Sequence, residues 1–313
     1  MTIPRPDLLL GLGLTLALAA SPALARTFFD FQLDANYEDN VGRAEADADR
    51  LSDRSHSLGA AVKSFHLLGD HAGVTFKGSV EQVDFARLDG LDRLNLGLGA
   101  NLRYKPDLAY GAPWYGLNLN LTQSNFDSSL RDGVTLDLEA MAGKRFTDRI
   151  LGKLGLGYNE HFVSNDLGPK VGKSDPEVFA TQNTRLFAGL DYNLSNWVVY
   201  ANYTYQVGDV VSTSTPTAKA IAAADAIWKD DAIGPSYTTT APAYPGGMVG
   251  SMQQARYAYR IDADTQIADV GFNYAITRST ALDFMLRYVD VQGEGGNDYD
   301  NYSAHLGLYY RLK

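Results

Sequence analysis

The stretch RLNLGLGANLRY, from Arg93 to Tyr104, alternates apolar and polar residues along its whole length. Leu, Ala or Tyr occupies every even-numbered position, and Arg, Asn or Gly occupies every odd-numbered one. Because successive side chains of a β-strand point to opposite faces, this pattern predicts a strand with one apolar and one polar face. The next apolar stretch, YGLNLNLT from Tyr115 to Thr122, follows the same rule.

The same alternation recurs along the chain after Arg26, and no long segment shows the 3.6-residue period of a helix. It predicts an all-β fold with about twelve antiparallel strands. An even number of strands places both chain termini at the same end of a closed barrel. The predicted strands lie near residues 27–40, 55–68, 71–86, 93–105, 113–125, 133–146, 149–163, 182–194, 196–208, 263–276, 279–292 and 300–312.

The connections between these strands alternate between short and long. The short ones are residues 69–70, 147–148, 195–196 and 277–278, with 105–112 as a longer member of the set. The others are 41–54, 87–92, 126–132, 164–181, 209–262 and 293–299, most of them rich in Asp, Gly, Ser and Pro. Transmembrane barrels of bacteria have short periplasmic turns and longer extracellular loops. The pattern therefore predicts a transmembrane β-barrel with both termini in the periplasm.

A soluble barrel or sandwich would alternate equally well, with its apolar side turned inward. Two features favour a membrane barrel. The polar face is rich in Gly and Asn rather than in Lys and Glu, and the apolar face carries aromatic residues at both ends of the strands. Such aromatic girdles lie at the two membrane interfaces of outer-membrane barrels. Examples are Phe29, Tyr104, Tyr115, Tyr192, Trp197 and Tyr310 near the short turns, and Tyr37, Phe162, Tyr205, Tyr288 and Tyr302 near the long loops.

On these features residues 26–313 resemble a bacterial outer-membrane porin-like β-barrel, as an architecture and not as a specific family. The last strand is similar to the terminal strand that the barrel assembly machinery reads in such proteins, with Tyr302, Leu306 and Tyr310 on one face. Many members end in an aromatic residue, whereas this chain ends in Leu312 and Lys313. The resemblance implies the outer membrane as location, and membrane lipid and the assembly machinery as partners.

The first 25 residues have the plan of a signal peptide. Arg5 precedes an apolar run over residues 8–20, and the small-residue pattern Ala23-Leu24-Ala25 follows it. The run is shorter than the roughly 20 residues of a membrane-spanning helix. We therefore expect cleavage before Arg26, which leaves residues 26–313 as one barrel domain.

Composition and charge exclude several other classes of function. The net charge of −10 argues against a nucleic-acid partner, because binders of polyanions present a basic face. The chain has no cysteine, hence no disulfide framework and no thiolate metal site. It shows no Gly-rich phosphate loop and no cluster of His and carboxylates with metal-ligand spacing, so we expect no cofactor. The acidic stretch with Glu45, Asp47, Asp49 and Asp53 is by default a solvated loop, with loose attraction of divalent cations as the alternative.

The polar face of the predicted strands carries charges of both signs in equal number. This mixture fits either a weakly selective narrow pore or a lumen crossed by ion pairs that conducts nothing. Twelve strands lie between the roughly eight that side chains fill and the roughly sixteen that leave a channel. The predicted lumen residues are Asp30, Asp34, Glu81, Asp137, Glu139, Asp191, Asp269 and Asp283, then Lys63, Lys77, Arg103, Arg145, Lys153, Arg185, Arg287 and Arg311, and finally His305.

The connection 209–262 is the longest and contains an Ala-rich segment, 218–228, with good helix propensity. Two interpretations stay open: a lid or constriction that folds into the mouth, and a surface loop that meets solvent or a partner.

The leading functional hypothesis is a passive porin-like channel for small hydrophilic solutes. The alternative is a closed barrel that anchors or interacts through its long extracellular loops. A third hypothesis, an outer-membrane hydrolase, rests only on the closeness in sequence of His161, Ser164 and Asp166. We expect no enzyme activity.

Overall fold

The chain forms a single closed antiparallel barrel. The computed structural model describes residues 26–164, 176–233 and 256–312, so the predicted signal peptide lies outside the described residues. The strands are β1 (Arg26–Glu38), β2 (Asp53–Leu68), β3 (Ala72–Phe85), β4 (Arg93–Tyr104), β5 (Trp114–Phe126), β6 (Gly133–Arg145), β7 (Ile150–Val163), β8 (Thr181–Leu194), β9 (Trp197–Ser214), β10 (Ala226–Lys229), β11 (Tyr257–Ala275), β12 (Thr280–Gly293) and β13 (Tyr299–Leu312), with one helix, α1 (Ala218–Ala223).

Backbone pairing closes the barrel at every position around its circumference. Sequential strands pair with each other from β1 to β9, β9 pairs with β11, and β11 to β13 continue the sheet. The first and last strands then pair directly, with Asp30 opposite Arg311. Twelve strands thus form the wall, while the short β10 pairs with β11 beyond the end of β12. The predicted twelve-strand barrel is confirmed.

The apolar face of the strands is on the outside of the barrel. Leu58 is 65% exposed, Val270 57% and Leu33 53%, and the exposed aromatic side chains near the strand ends lie on the same face. In water, exposing so many large apolar side chains would forgo about 25 cal/mol for each Å² left unburied. Hydrocarbon removes this cost, so the exterior is that of a transmembrane barrel. Among the described residues no helix is long and apolar enough to cross a membrane.

The two ends of the barrel differ in the length of their connections. We call the end that carries residues 69–71, 105–113, 146–149, 195–196 and 276–279 the turn end, and the opposite end the loop end. Arg26 and Leu312 both lie at the turn end, as the even strand number predicts. The periplasmic position of the turn end stays a prediction.

Two strands extend into the range that the sequence suggested as the 209–262 loop. β9 continues to Ser214, and β11 begins at Tyr257. The sequence range 209–262 begins and ends with an Asp, a residue type that is uncommon in strands. In the structure the Asp209 carboxylate accepts a hydrogen bond from the backbone N–H of Gln182 at 2.8 Å. This bond satisfies the polar side chain, so Asp209 can lie within a paired strand.

Glycines on the lumen side make room for large rings on the neighbouring strand. The Tyr200 ring lies over Gly271, which is directly opposite it on β11. A Cβ atom on Gly271 would come within 2.3 Å of the Phe284 carbonyl oxygen and 2.6 Å of the Tyr200 ring. At Gly59, also on the lumen side, the nearest atom to an added Cβ is 3.7 Å away.

We therefore expect Gly271→Ala to destabilise the barrel by about 1–3 kcal/mol through overpacking. The matched variant Gly59→Ala has room for its methyl group and should be neutral or stabilising by a few tenths of a kcal/mol. Urea unfolding in detergent micelles, followed by the shift in gel migration of unheated samples, measures both. Equal midpoints for the two variants would contradict the close approach at Gly271.

Candidate functional site: a charged lumen beneath a packed lid

Ion pairs run along the wall in the middle part of the lumen. Arg185 on β8 donates to Asp137 at 2.9 and 3.2 Å and to Glu139 at 3.2 Å, both on β6. Arg287 on β12 makes a two-point contact with Asp269 on β11, at 2.7 and 3.1 Å. Such bidentate pairs fix the side chains against the wall.

A second polar group in the middle of the lumen surrounds Asp34. Its Oδ2 accepts hydrogen bonds from Gln32 and, at 2.9 Å, from Ser57. Its Oδ1 is buried without a hydrogen-bond partner and lies 3.6 Å from Nε2 of His305. The other ring nitrogen of His305 is 2.8 Å from Oδ1 of Asn36. The predicted lumen histidine therefore faces a carboxylate, as the alternation of β13 suggests.

At the turn end the charges form a separate network. Asp30 on β1 contacts Lys63 at 2.8 Å and Arg311 at 2.7 Å, on the strands to either side of it. Lys153 on β7 pairs with Asp191 on β8 at 2.7 Å.

Two further predicted arginines at this end rest on aromatic rings. Arg103 lies 4.2 Å from the centre of the Trp114 ring, and Arg145 lies 5.1 Å from that of Tyr110. Both contacts are within the range of cation–π interactions.

The sequence interpretation passed over several lumen residues that the geometry brings into the network. Tyr200 donates to Asp283 at 3.0 Å, and Asn95 donates to Glu81 at 3.0 Å. Trp114 lies over Gly143, which is opposite it on β6. Strand alternation could have predicted the inward orientation of Tyr200, Asn95 and Trp114, because each is next in sequence to an outward-facing apolar residue. The sequence prediction named only charged residues and one histidine on the polar face.

Inside the turn end lies a cavity of about 630 Å³. The predicted lumen residues Asp30, Lys63, Lys77, Glu81 and Arg311 line it. Its volume is in the range of sites that hold small molecules, roughly 300–1,000 Å³.

The loop end is covered by the last two residues of β9 together with the segment that follows them, residues 213–233, which we call the lid. The lid leaves β9 and contacts each of the other loop-end connections among the described residues. Backbone N–H of Thr213 donates to the Gly42 carbonyl oxygen at 2.6 Å, between β1 and β2. Lys219 of α1 binds the Gly296 carbonyl oxygen, between β12 and β13, and pairs with Glu45 at 2.7 Å. Because these partners are spread around the rim, the lid must cross the mouth.

A buried ion pair fixes the lid to the β5–β6 connection. Asp230 pairs with Arg131 and also accepts hydrogen bonds from Thr213 Oγ1 at 2.9 Å and from the backbone N–H of Ala232 at 3.0 Å. The Asp230 side chain is 1% exposed. Burial lowers the pKa of the Arg131 guanidinium from its ordinary value, and Asp230 opposes this effect. Arg131 also lies 4.2 Å from the centre of the Phe179 ring, between β7 and β8.

Apolar residues pack beneath the lid on both sides of the mouth. Ala232 and Ile233 are buried against Leu51, Leu88 and Leu91 from the first two long connections. A second cluster joins α1 to the upper parts of β11, β12 and β13. The cavity between α1, β11 and the first long connection holds only about 30 Å³, the share of one water molecule. Of the two interpretations left open by the sequence, the described part of this connection matches the lid.

The histidine of the hydrolase hypothesis has a different set of contacts. Nδ1 of His161 lies 2.9 Å from Oγ1 of Thr135 on the neighbouring strand. The backbone N–H of Ser164 donates to the Asp132 carbonyl oxygen, and Asp166 lies outside the described residues. Within residues 26–164, 176–233 and 256–312 no three His, Asp or Glu side chains are grouped so as to hold a metal ion. In the acidic stretch, Asp49 accepts hydrogen bonds from Thr215 of the lid.

No family model matches the chain, and no curated protein matches it in sequence. Among solved structures it is similar to an outer membrane channel from Pseudomonas putida F1, with 15% identity over 94% of this chain and 97% of that chain and a TM-score of 0.51. Weaker matches include a NanC porin (9% identity, 90% and 100% covered, TM-score 0.43) and the outer membrane channel DcaP of Acinetobacter baumannii (12%, 93% and 99%, 0.41). At such identities the likeness concerns the fold alone. The chain therefore has the porin-like β-barrel fold of an outer-membrane channel.

Proposed function

We propose that this protein is a passive porin-like channel of the bacterial outer membrane for small hydrophilic solutes. The observation that carries the proposal is the polar interior: charged and amide side chains line the wall, and a cavity of about 630 Å³ lies among them at the turn end. A barrel that served only as an anchor would not need this space. The fold shared with an outer membrane channel supports the same conclusion.

The proposal includes the partners that the architecture requires. The apolar exterior contacts outer-membrane lipid, the barrel assembly machinery inserts the chain, and residues 1–25 direct its export and are removed. The turn end then faces the periplasm and the lid faces outward.

The lid favours a second candidate function. A mouth held by a buried ion pair and two apolar clusters is also what a closed barrel would have if its loops bound a surface partner. The two functions differ in one measurable property, because only a channel passes ions and solutes.

Folded protein reconstituted in a planar bilayer should therefore show discrete conductance steps, and vesicles containing it should swell in solutions of small sugars. If neither the wild type nor the lid variant described next conducts at any voltage, the protein is a closed barrel that acts through its loops and not a channel.

The variant Asp230→Ala should raise the conductance. It leaves the Arg131 guanidinium buried without its partner, a change that typically costs 3–5 kcal/mol. The barrel wall should stay intact, because Asp230 lies outside the twelve wall strands. Single-channel recording gives the conductance, and faster trypsin cleavage after Lys219 reports the opening of the lid.

Asp231→Ala is the matched control. Asp231 pairs with Lys229 at the surface, where both side chains are more than half exposed, so its loss should change neither readout. A lid that trypsin cleaves faster in Asp230→Ala, together with an unchanged conductance, would show that the lid does not limit flow.

A further inference from the structure

The barrel sorts the lumen charges by height, although the two signs balance over the whole set. Of the predicted lumen charges, nine lie within five positions of a strand's terminus at the turn end: Asp30, Lys63, Lys77, Arg103, Arg145, Lys153, Asp191, Asp283 and Arg311. Six of these are basic and three acidic. The remaining predicted positions lie farther from the turn end along their strands. They comprise five acidic residues and two basic ones, with His305 beside Asp34: Asp34, Glu81, Asp137, Glu139 and Asp269, against Arg185 and Arg287. The turn end of the lumen is thus basic and its middle acidic.

Three of these six basic residues, Lys77, Arg103 and Arg145, form no salt bridge with the described residues. The two arginines rest on aromatic rings, whereas Lys77 has no such contact in the part of the chain that the structure describes. It is directly opposite Lys63 in the register of β2 and β3, and like charges in that position repel. Lys63 is compensated by Asp30, but Asp30 also holds Arg311 with two hydrogen bonds. No carboxylate of the described residues lies within 4 Å of the Lys77 ammonium group.

The acidic groups near Lys77 form their direct contacts with other side chains. Glu81, two lumen positions farther along β3, accepts a hydrogen bond from Asn95. Asp30 is shared between two cations. The side chain of Lys77 is exposed to the cavity of about 630 Å³, whose lining also includes Arg278 from the turn between β11 and β12. The lining therefore carries four basic and two acidic side chains, together with hydroxyl groups of Ser79 and Tyr309 that can donate hydrogen bonds.

We propose that this cavity is a binding site for the oxyanion group of a small solute, a carboxylate or a phosphate, with Lys77 as its principal contact. An oxyanion placed there would relieve the repulsion between the two lysines and would accept hydrogen bonds from neighbouring donors. The site rests on the proposed channel function and names its solute class: small organic anions that enter or leave at the turn end.

The experiment measures binding and conduction separately. Isothermal titration of the folded protein in detergent at low salt uses succinate and inorganic phosphate as the two probes. Wild type should bind at least one of them, and the tighter probe identifies the oxyanion. Lys77→Gln should weaken that binding at least tenfold, which corresponds to about 1.4 kcal/mol. In bilayers under a KCl gradient, the reversal potential should shift toward cation selectivity in Lys77→Gln and further in Lys77→Glu.

Lys144→Gln is the matched control, because it removes the same charge from the outer face of β6, one residue before the lumen-facing Arg145. It should leave binding and selectivity unchanged, and the gel shift on heating verifies that each variant is folded. Two results would overturn the anion site while the channel function stands. Either the protein conducts but binds neither probe, or it conducts and wild type and Lys77→Gln bind the probe equally well. Binding that depends on Lys77, without conductance, would overturn the channel and leave the site.

Discussion

The rest of this structure depends on the pairing of β1 with β13. In hydrocarbon a backbone N–H or C=O without a partner costs several kcal/mol, so a sheet can cross a membrane only when it has no free edge. The chain meets this requirement by placing Asp30 opposite Arg311 and continuing the ladder from Phe29 to Glu38. The same closure fixes which side of each strand is inside. It thereby places side chains more than two hundred residues apart in sequence, such as Asp34 and His305, against one another.

Polar contacts between strands that are adjacent or one strand apart add rigidity to the wall. Arg185 ties β8 to two carboxylates on β6, across the intervening β7, and Arg287 ties β12 to β11. These pairs lie in a confined, partly solvated interior, where the cost of desolvation is lower than in a dry core. They hold the middle of the barrel in a fixed shape. The turn end is different, since its basic residues exceed the acidic ones and leave space around Lys77.

The lid is a small folded unit that depends on the rim for its stability. A six-residue helix such as α1 is too short to be stable alone, because helix nucleation is costly. Thr217 caps it, and Lys219 connects it to the β1–β2 and β12–β13 connections. The lid therefore stays in place only as long as the loops around it keep their positions. This dependence links the loop end into one unit, while the strands below need no contribution from it.

The amino-acid sequence by itself determined the strands, their number, the exterior face and the alternation of short and long connections, because these follow from a period of two and from local turn residues. It also predicted a set of charged residues on the lumen face. It could not show how high in the barrel each charge lies, since the stagger between strands depends on the closed pairing. It could not choose between a lid and a free loop either. That choice rests on contacts such as Asp230 with Arg131, 99 residues apart, which only the tertiary structure brings together. The tertiary structure also decides that the lumen has a basic turn end and an acidic middle, although acidic and basic residues are equal in number. The reason is that barrel closure sets the relative heights of residues on different strands.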